Sequence, residues 1–515
     1  MFWLWVACAT KPTADGPRAD ADADTDADAD ADTDADTDAD TDTDCGEVAG
    51  GVTALRATTP YGSHEAHLEV ETSAPATVAV ACVLDADPAE VHLLEGTTAA
   101  TSHAFDVAGL LEAERYTCTA RTVCPAGPDR ATTTLDTPVP EASLPPLDVV
   151  VDEPGRGDEY LLTNFTQDCG ARSHAAVVYD RGGRVRWQLP IPLEIGPSIE
   201  FRHLGGTRFS WGGGWTPHEN GRPRIVDLFA GELVDAGDWL PDLADSEFHH
   251  DGYALPDGRL LTLEAVTVRG DGPAFEGFRV RRIDPASGTV DFDYHSQRAV
   301  DEGHLDPGFG DPWHANAVQL ATVGGEEVLY VSLCNARRVI AIDVATGDWR
   351  WSFGSGGDFT VVDPAGNGVG GDAFPQCQHG IESDGQRLLL YDNGSSRGES
   401  RVVEYLIDEA AREMTLTWQW TEPDWFETTM GDVEDLASGH VLVSMAHGEC
   451  FSSNRGDVST YVEVDPVSGD KVWDARFARS EQMSYRGDPA DACALFANAK
   501  YCPALRDRLG ALALP

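Results

Sequence analysis

The chain has 515 residues, 88 of them acidic against 36 Lys and Arg, and a formal net charge of −52. So acidic a surface repels nucleic acid and anionic membranes, which excludes the electrostatic binding modes those partners need. Past residue 8 no apolar run is long enough to span a bilayer.

In chain order, residues 1–8 (Met-Phe-Trp-Leu-Trp-Val-Ala-Cys) read as a truncated lipoprotein signal ending in small residues and a cysteine. Acylation of Cys8 would be the only membrane attachment, anchoring an exported protein in a bacterial cell envelope. Residues 9–45 are expected to be a disordered tether. From Asp20 to Asp44 every second residue is Asp, thirteen in all, and like charges at that density keep a chain extended. The run lacks the Gly turn and closing Glu of a calcium loop, so at most weak, unspecific cation binding is expected there.

Residues 46–140 carry alternating strands such as Ala66-His-Leu-Glu-Val-Glu-Thr, then Gly109-Leu110 followed by Tyr116. That phrase resembles the corner before the sixth strand of a fibronectin type III sandwich, so a fibronectin type III-like domain is expected. Residues 141–150 complete a Pro-rich linker.

Over residues 151–480 an apolar–Asp phrase, in four cases with Gly four residues on, followed by a strand often closed by Trp, recurs six times. The Asp positions are 180, 227, 284, 343, 408 and 465. Asp and Gly at that spacing form hairpin turns, and a strand-only period of some fifty residues marks a β-propeller. The expected fold is therefore all-β, a six-bladed propeller preceded by a small fibronectin type III-like sandwich. Trp187, Trp351 and Trp473 should pack between blades. Residues 481–515 form a Cys-containing C-terminal extension. Eleven cysteines, ten without Cys8, suit disulfides in an oxidising compartment, with Cys493 and Cys502 a plausible pair.

Three consecutive repeats place a histidine at one phase: His249-His250-Asp251, Trp313-His314-Ala-Asn316 and Gln378-His379. Equivalent positions of a repeat point alike, so His250, His314 and His379 should converge on one axis. No Cys-x-x-Cys pair exists and the histidines are spread over repeats, so neither a metal nor another cofactor is expected.

In these residues, and in Asp392-Asn-Gly394, Ser400-Arg-Val-Val-Glu-Tyr405 and Gly431-Asp-Val-Glu-Asp-Leu436, the chain resembles the bacterial arylsulfate sulfotransferases. The resemblance implies transfer of a sulfuryl group from an aryl sulfate to a phenol without a nucleotide cofactor. It makes His379 the nucleophile of a ping-pong cycle, with His250 and His314 as further catalytic residues. Asn316, His249, Trp313, Arg337 and Arg338 are the implied substrate-binding set. By strand alternation His249 should point away from His250. One departure stands out: the family's Arg, two residues after a Ser and five before a Val, is here Cys334, and a thiol cannot grip a sulfate as a guanidinium does. Cys334 is free to bond to Cys377. That loss favours an alternative, a non-catalytic envelope-anchored propeller binding a ligand or partner at its channel mouth.

Overall fold

The structure is a computed structural model and describes residues 51–60, 62–123, 130–140, 142–167, 173–191, 200–212, 224–229, 233–235, 247–255, 257–270, 272–285, 287–446 and 458–515. The signal-like residues 1–8 and the Asp-rich run lie outside them, as does His447.

Alternation of apolar and polar residues builds the N-terminal part. In Glu65–Ala76, buried Ala66, Leu68 and Val70 alternate with exposed Glu69 and Glu71, which gives the strand one inward and one outward face. It lies in a three-stranded sheet with Val52–Thr58 and Ala100–Ala108. The opposing four-stranded sheet is ordered Asp87–Glu95, Val78–Leu84, Arg115–Thr122 and Arg130–Asp136. The inner faces share one core around Leu68, Val80, Cys82, Tyr116 and Cys118. Cys82 and Cys118 are bonded across paired strands. Tyr116 is fully buried, and its hydroxyl accepts the Leu111 N–H at 2.8 Å, tying the corner to the strand that follows it.

Beyond residue 147 the described residues form six further sheets, each essentially an antiparallel meander. The expected turns shape them: Gly288, Gly347 and Gly469 have positive φ and donate their N–H groups to the carbonyls of Asp284, Asp343 and Asp465, each at 2.8 Å. Edge strands of the second to sixth sheets are, in turn, Glu200–His203, Glu247–Ala254, Ala315–Val323, Gln378–Ser383 and Asp432–Asp435. Each contacts the next, and Gly487–Ala490 of the first sheet touches both the second and the sixth.

Apolar clusters bridge neighbouring sheets all the way along. Leu263 and Val280 meet Leu329 and Val331, Tyr330 and Trp351 meet Leu388 and Tyr405, and Leu389 and Val402 meet Val443 and Val462. Leu442, Tyr461 and Trp473 of the sixth sheet then pack on Leu161 and Val177 of the first. Tryptophan indoles reach across these junctions. Trp351 donates to Glu409 of the fifth sheet at 2.9 Å, and Trp473 to the Arg181 carbonyl beside the first at 2.8 Å. Trp187 donates to Glu65 of the N-terminal sandwich at 2.8 Å.

Two segments expected outside the repeats are strands of the terminal sheets. Asp148–Asp152, placed by the sequence within the linker and the first repeat, pairs antiparallel with Lys471–Arg476 of the sixth sheet. Gln482–Met483 and Gly487–Ala490, expected in the extension, both pair with Tyr160–Gln167 of the first. Strand edges left at the two ends of a repeat array need partners, and the chain termini supply them. The remainder of the extension carries the Cys493–Cys502 disulfide. Its helix Pro503–Leu512 sets Leu509 and Leu512 against Ala81, Val91 and Leu93 of the sandwich.

Candidate functional site

The three histidine segments sit where their strands break register. Pairing is interrupted between Phe248 and Gly252, between Ala315 and Ala317, and between Gln378 and Ile381. A bulge re-aims the side chains it carries. His250 and His314 also hold positive φ, 59° and 49°, conformations that non-glycine residues adopt at a cost of about 1–3 kcal/mol.

These distortions bring the rings together. The His250 centroid lies 4.6 Å from that of His314 and 6.3 Å from that of His379. His249 does not turn away from its neighbour as alternation predicts. Because the bulge cancels alternation, its ring centroid lies 3.9 Å from that of His250 and 5.1 Å from that of His314.

Hydrogen bonds assign the tautomers. His379 is buried, and its Nδ1 is 2.8 Å from Asn393 Oδ1. The Asn393 amide nitrogen is fixed by the carbonyls of Glu427 and Met430 at 3.0 and 2.8 Å, so its oxygen must face the ring. His379 therefore carries its proton on Nδ1 and leaves Nε2 as a lone pair. Burial lowers its pKa to about 3, against the weaker raising effect of the Asn393 bond, and keeps it neutral. His249 Nδ1 donates to the Ala315 carbonyl at 3.2 Å, and its pKa is lowered to about 4, chiefly by burial. Burial likewise pushes His250 well below the usual histidine value. His314 Nδ1 is bonded to the Asp311 carboxylate, whose other oxygen accepts the His314 backbone N–H at 2.8 Å. Burial would raise the Asp311 carboxyl, but the His314 bond and charge outweigh it and hold the pKa low.

His379 is clamped from the side of the fourth sheet. Cys377, two residues before it, is bonded to Cys334, the residue standing where the family has Arg. The Gln378 carbonyl accepts from Asn316 Nδ2 at 2.9 Å and from Ser332 Oγ at 3.0 Å. Asn316 thus reaches the site's framework through Gln378. Trp313 is buried against Phe275 and Phe278, with centroids 5.3 and 6.2 Å away, inside an apolar core. Arg337 is exposed in a turn at φ 53°, and the Arg338 guanidinium donates to the Gly356 carbonyl at 3.3 Å.

Three residues that sequence reasoning did not select complete the site. Asn393 stands in the Asp392-Asn-Gly394 phrase of the resemblance with no role assigned to it; it is fully buried on His379, and the pairing of Gln378 with Asp392 is the hairpin register that could have revealed it. Asp311 lies three residues before His314, a spacing that could have drawn notice. Arg486 is buried, donates to the Asn316 carbonyl at 2.8 Å and lies 3.4 Å from Asp251. Its positive charge also helps hold His379 and His250 neutral. It arrives only because the C-terminal strand returns to the first sheet.

The sequence model of the Arylsulfotransferase (ASST) family matches residues 157–486. That is more than half of the chain, which therefore belongs to this family, and an arylsulfotransferase-like function with small aryl sulfates and phenols as substrates follows from membership. No curated protein matches it. Solved structures similar to it include a dihydro-heme d1 dehydrogenase, 12% identical over 78% of this chain and 74% of that one, TM-score 0.34. A luciferin-regenerating enzyme is 14% identical over 64% and 96%, TM-score 0.33. The Cps50 (Swd1) β-propeller domain of Myceliophteria thermophila is 11% identical over 66% and 98%, TM-score 0.31. At such TM-scores these likenesses carry no argument. Among the described residues no helix is long and apolar enough to cross a membrane.

Proposed function

We propose that the chain transfers a sulfuryl group from an aryl sulfate to a phenol through a sulfurylated His379, on a six-bladed propeller joined to a fibronectin type III-like sandwich. The unbroken sequence of contacts from sheet to sheet, returning from the sixth to the first, supports the propeller reading. The buried tyrosine corner at Tyr116 supports the second domain. The observation that carries the chemistry is the His379–Asn393 bond at 2.8 Å, which leaves Nε2 as the nucleophilic atom.

In the first half-reaction the Nε2 lone pair attacks sulfur, the S–O(aryl) bond breaks, and its electron pair leaves on the phenolate oxygen. The new N–S bond makes the ring positive, and Asn393 Oδ1 faces the proton that stays on Nδ1. In the second half the acceptor phenol gives its proton to solvent, balancing the one that the released phenolate takes from it, its oxygen attacks sulfur, and the N–S pair returns to Nε2. Both halves need positive charge beside the phenol and sulfuryl oxygens. Two imidazole nitrogens, His250 Nε2 and His314 Nε2, lie within hydrogen-bond distance of each other at 3.2 Å, and a positive centre held at them would meet that need. That centre, with Arg486, takes the place of the guanidinium lost at Cys334. The expected setting is an exported protein held in the cell envelope by a lipid on Cys8, and three disulfides among the described residues accord with an oxidising compartment.

Incubation with 4-nitrophenyl sulfate and a phenol should release nitrophenolate and, without acceptor, leave one sulfuryl mass on His379. If folded protein releases none, and His379→Ala alters no measurable property except ligand binding, the non-catalytic binding reading replaces this one.

A further inference from the structure

We infer that His249, His250 and His314 hold a divalent transition-metal ion of the zinc class, which is the positive centre the transfer reaction uses. This rests on the reading above only for the ion's role; binding itself is a separate claim. Sequence spacing predicts no metal here, because it spreads the histidines over repeats. The bulge at 249–251 undoes that spread by turning two consecutive rings toward His314.

One potential ligand atom from each ring lies within 4.8 Å of the others, and two are already 3.2 Å apart. Ligands at about 2.0–2.1 Å in a tetrahedral zinc site are roughly 3.3 Å from one another, so small ring rotations complete the set. The tautomers fit as well. His249 and His314 each commit Nδ1 to an oxygen, the Ala315 carbonyl and the Asp311 carboxylate respectively. Both therefore keep Nε2 as a lone pair, in the arrangement by which a carbonyl or carboxylate orients a metal-binding imidazole. His250 is buried with an Nδ1 that has no hydrogen-bond partner, so no neighbour ties that nitrogen down. His314 Nε2 is then a lone pair facing His250 Nε2 at 3.2 Å, a contact that either a proton on His250 or a cation between the rings must bridge. Imidazole donors select zinc, cobalt, nickel or copper over magnesium or calcium. Three protein nitrogens leave a fourth position for a sulfuryl or phenol oxygen. An ion there polarises that oxygen and lowers a phenol's pKa, supplying the positive charge that Cys334, bonded to Cys377, cannot.

The test uses the full chain, treated with EDTA, dialysed and titrated calorimetrically with Zn2+, with Co2+ as an optical probe and Mg2+ as control. One equivalent of Zn2+ should bind, Co2+ should show the absorption of a four-coordinate site, and Mg2+ should not compete. His249→Ala should abolish this binding, and Asp311→Asn should weaken it about 10–100-fold, with circular dichroism confirming the fold of each. The inference is overturned if Zn2+ does not bind, or if both variants bind it like the parent, which would place the ion elsewhere, such as on the Asp-rich run. Full turnover of 4-nitrophenyl sulfate by protein shown to be metal-free would also overturn it, by leaving a shared proton as the positive centre. Stoichiometric, His249-dependent zinc without any turnover would uphold the metal site and sink only the sulfuryl-transfer reading.

Discussion

At the scale of single residues, the decisive pair is His379 and Asn393. An imidazole is a useful nucleophile only when neutral and in the right tautomer, and Asn393 Oδ1 at 2.8 Å fixes the tautomer. Asn393→Ala should therefore lower kcat by something on the order of the 10⁴-fold seen when a catalytic histidine loses its tautomer, while the affinity for a non-reacting aryl sulfonate stays within a few-fold. A matching loss of affinity would mean that Asn393 shapes the pocket instead. Burial also removes an acid limb. With its pKa depressed to about 3 from 6.5, His379 stays unprotonated through the mildly acidic range. The sign for stability is the opposite of a paired histidine's: the folded state refuses a proton that the unfolded chain accepts, so stability is lost as pH falls below 6.5. The sequence disclosed these histidines through their phase. It concealed the companionship of His249, because a bulge reverses the alternation that any reading of a strand assumes.

At the scale of elements, the hairpins were legible because Asp and Gly act locally: the positive φ values of Gly288, Gly347 and Gly469 need no knowledge of the rest of the chain. One tie between strands was legible too, as a pairing left open. Cys334 stands out as a missing arginine free to bond to Cys377, and the structure bears that bond out, from the end of Glu326–Leu333 to the residue before Gln378–Ser383. Such a bond stabilises chiefly by restricting the unfolded chain, typically by 2–4 kcal/mol. It also fixes the strand that carries His379, the proposed nucleophile. Replacing Cys334 and Cys377 with Ser should lower the urea midpoint accordingly. The rate of His379 sulfurylation should fall further than the loss of folded protein explains, as judged by single-turnover kinetics at a pH and temperature where the variant is fully folded. Equal rates per folded molecule would make the bridge purely structural.

At the scale of the whole molecule, segments far apart in sequence, Asp148–Asp152 and Gly487–Ala490, complete the sixth and first sheets. No local pattern announces such pairings, which is why Arg486 escaped the sequence reading. The same remoteness governs how the sandwich joins the first sheet. That junction mixes satisfied charges, Arg186 between Glu90 and Asp180, with one carboxyl of a different kind. Glu65 is buried and accepts the Trp187 indole N–H at 2.8 Å. Burial raises its pKa from 4.5 to about 7, against the lowering effect of that hydrogen bond. A carboxyl raised on folding binds its proton more tightly in the native state, so its contribution is full below pH 4.5 and disappears as pH rises through 7. At about 1.4 kcal/mol per pH unit the full shift amounts to roughly 3.5 kcal/mol, of which roughly 2–3 kcal/mol falls between about pH 5 and about pH 8. Glu65→Gln keeps an oxygen for Trp187 but cannot ionise, so its stability should not follow that decline. Urea unfolding at pH 5 and pH 8 should show the parent weakening relative to the variant by that amount, with the variant the more stable at the higher pH. Parallel pH profiles for the two proteins would mean that Glu65 is already ionised in the native junction.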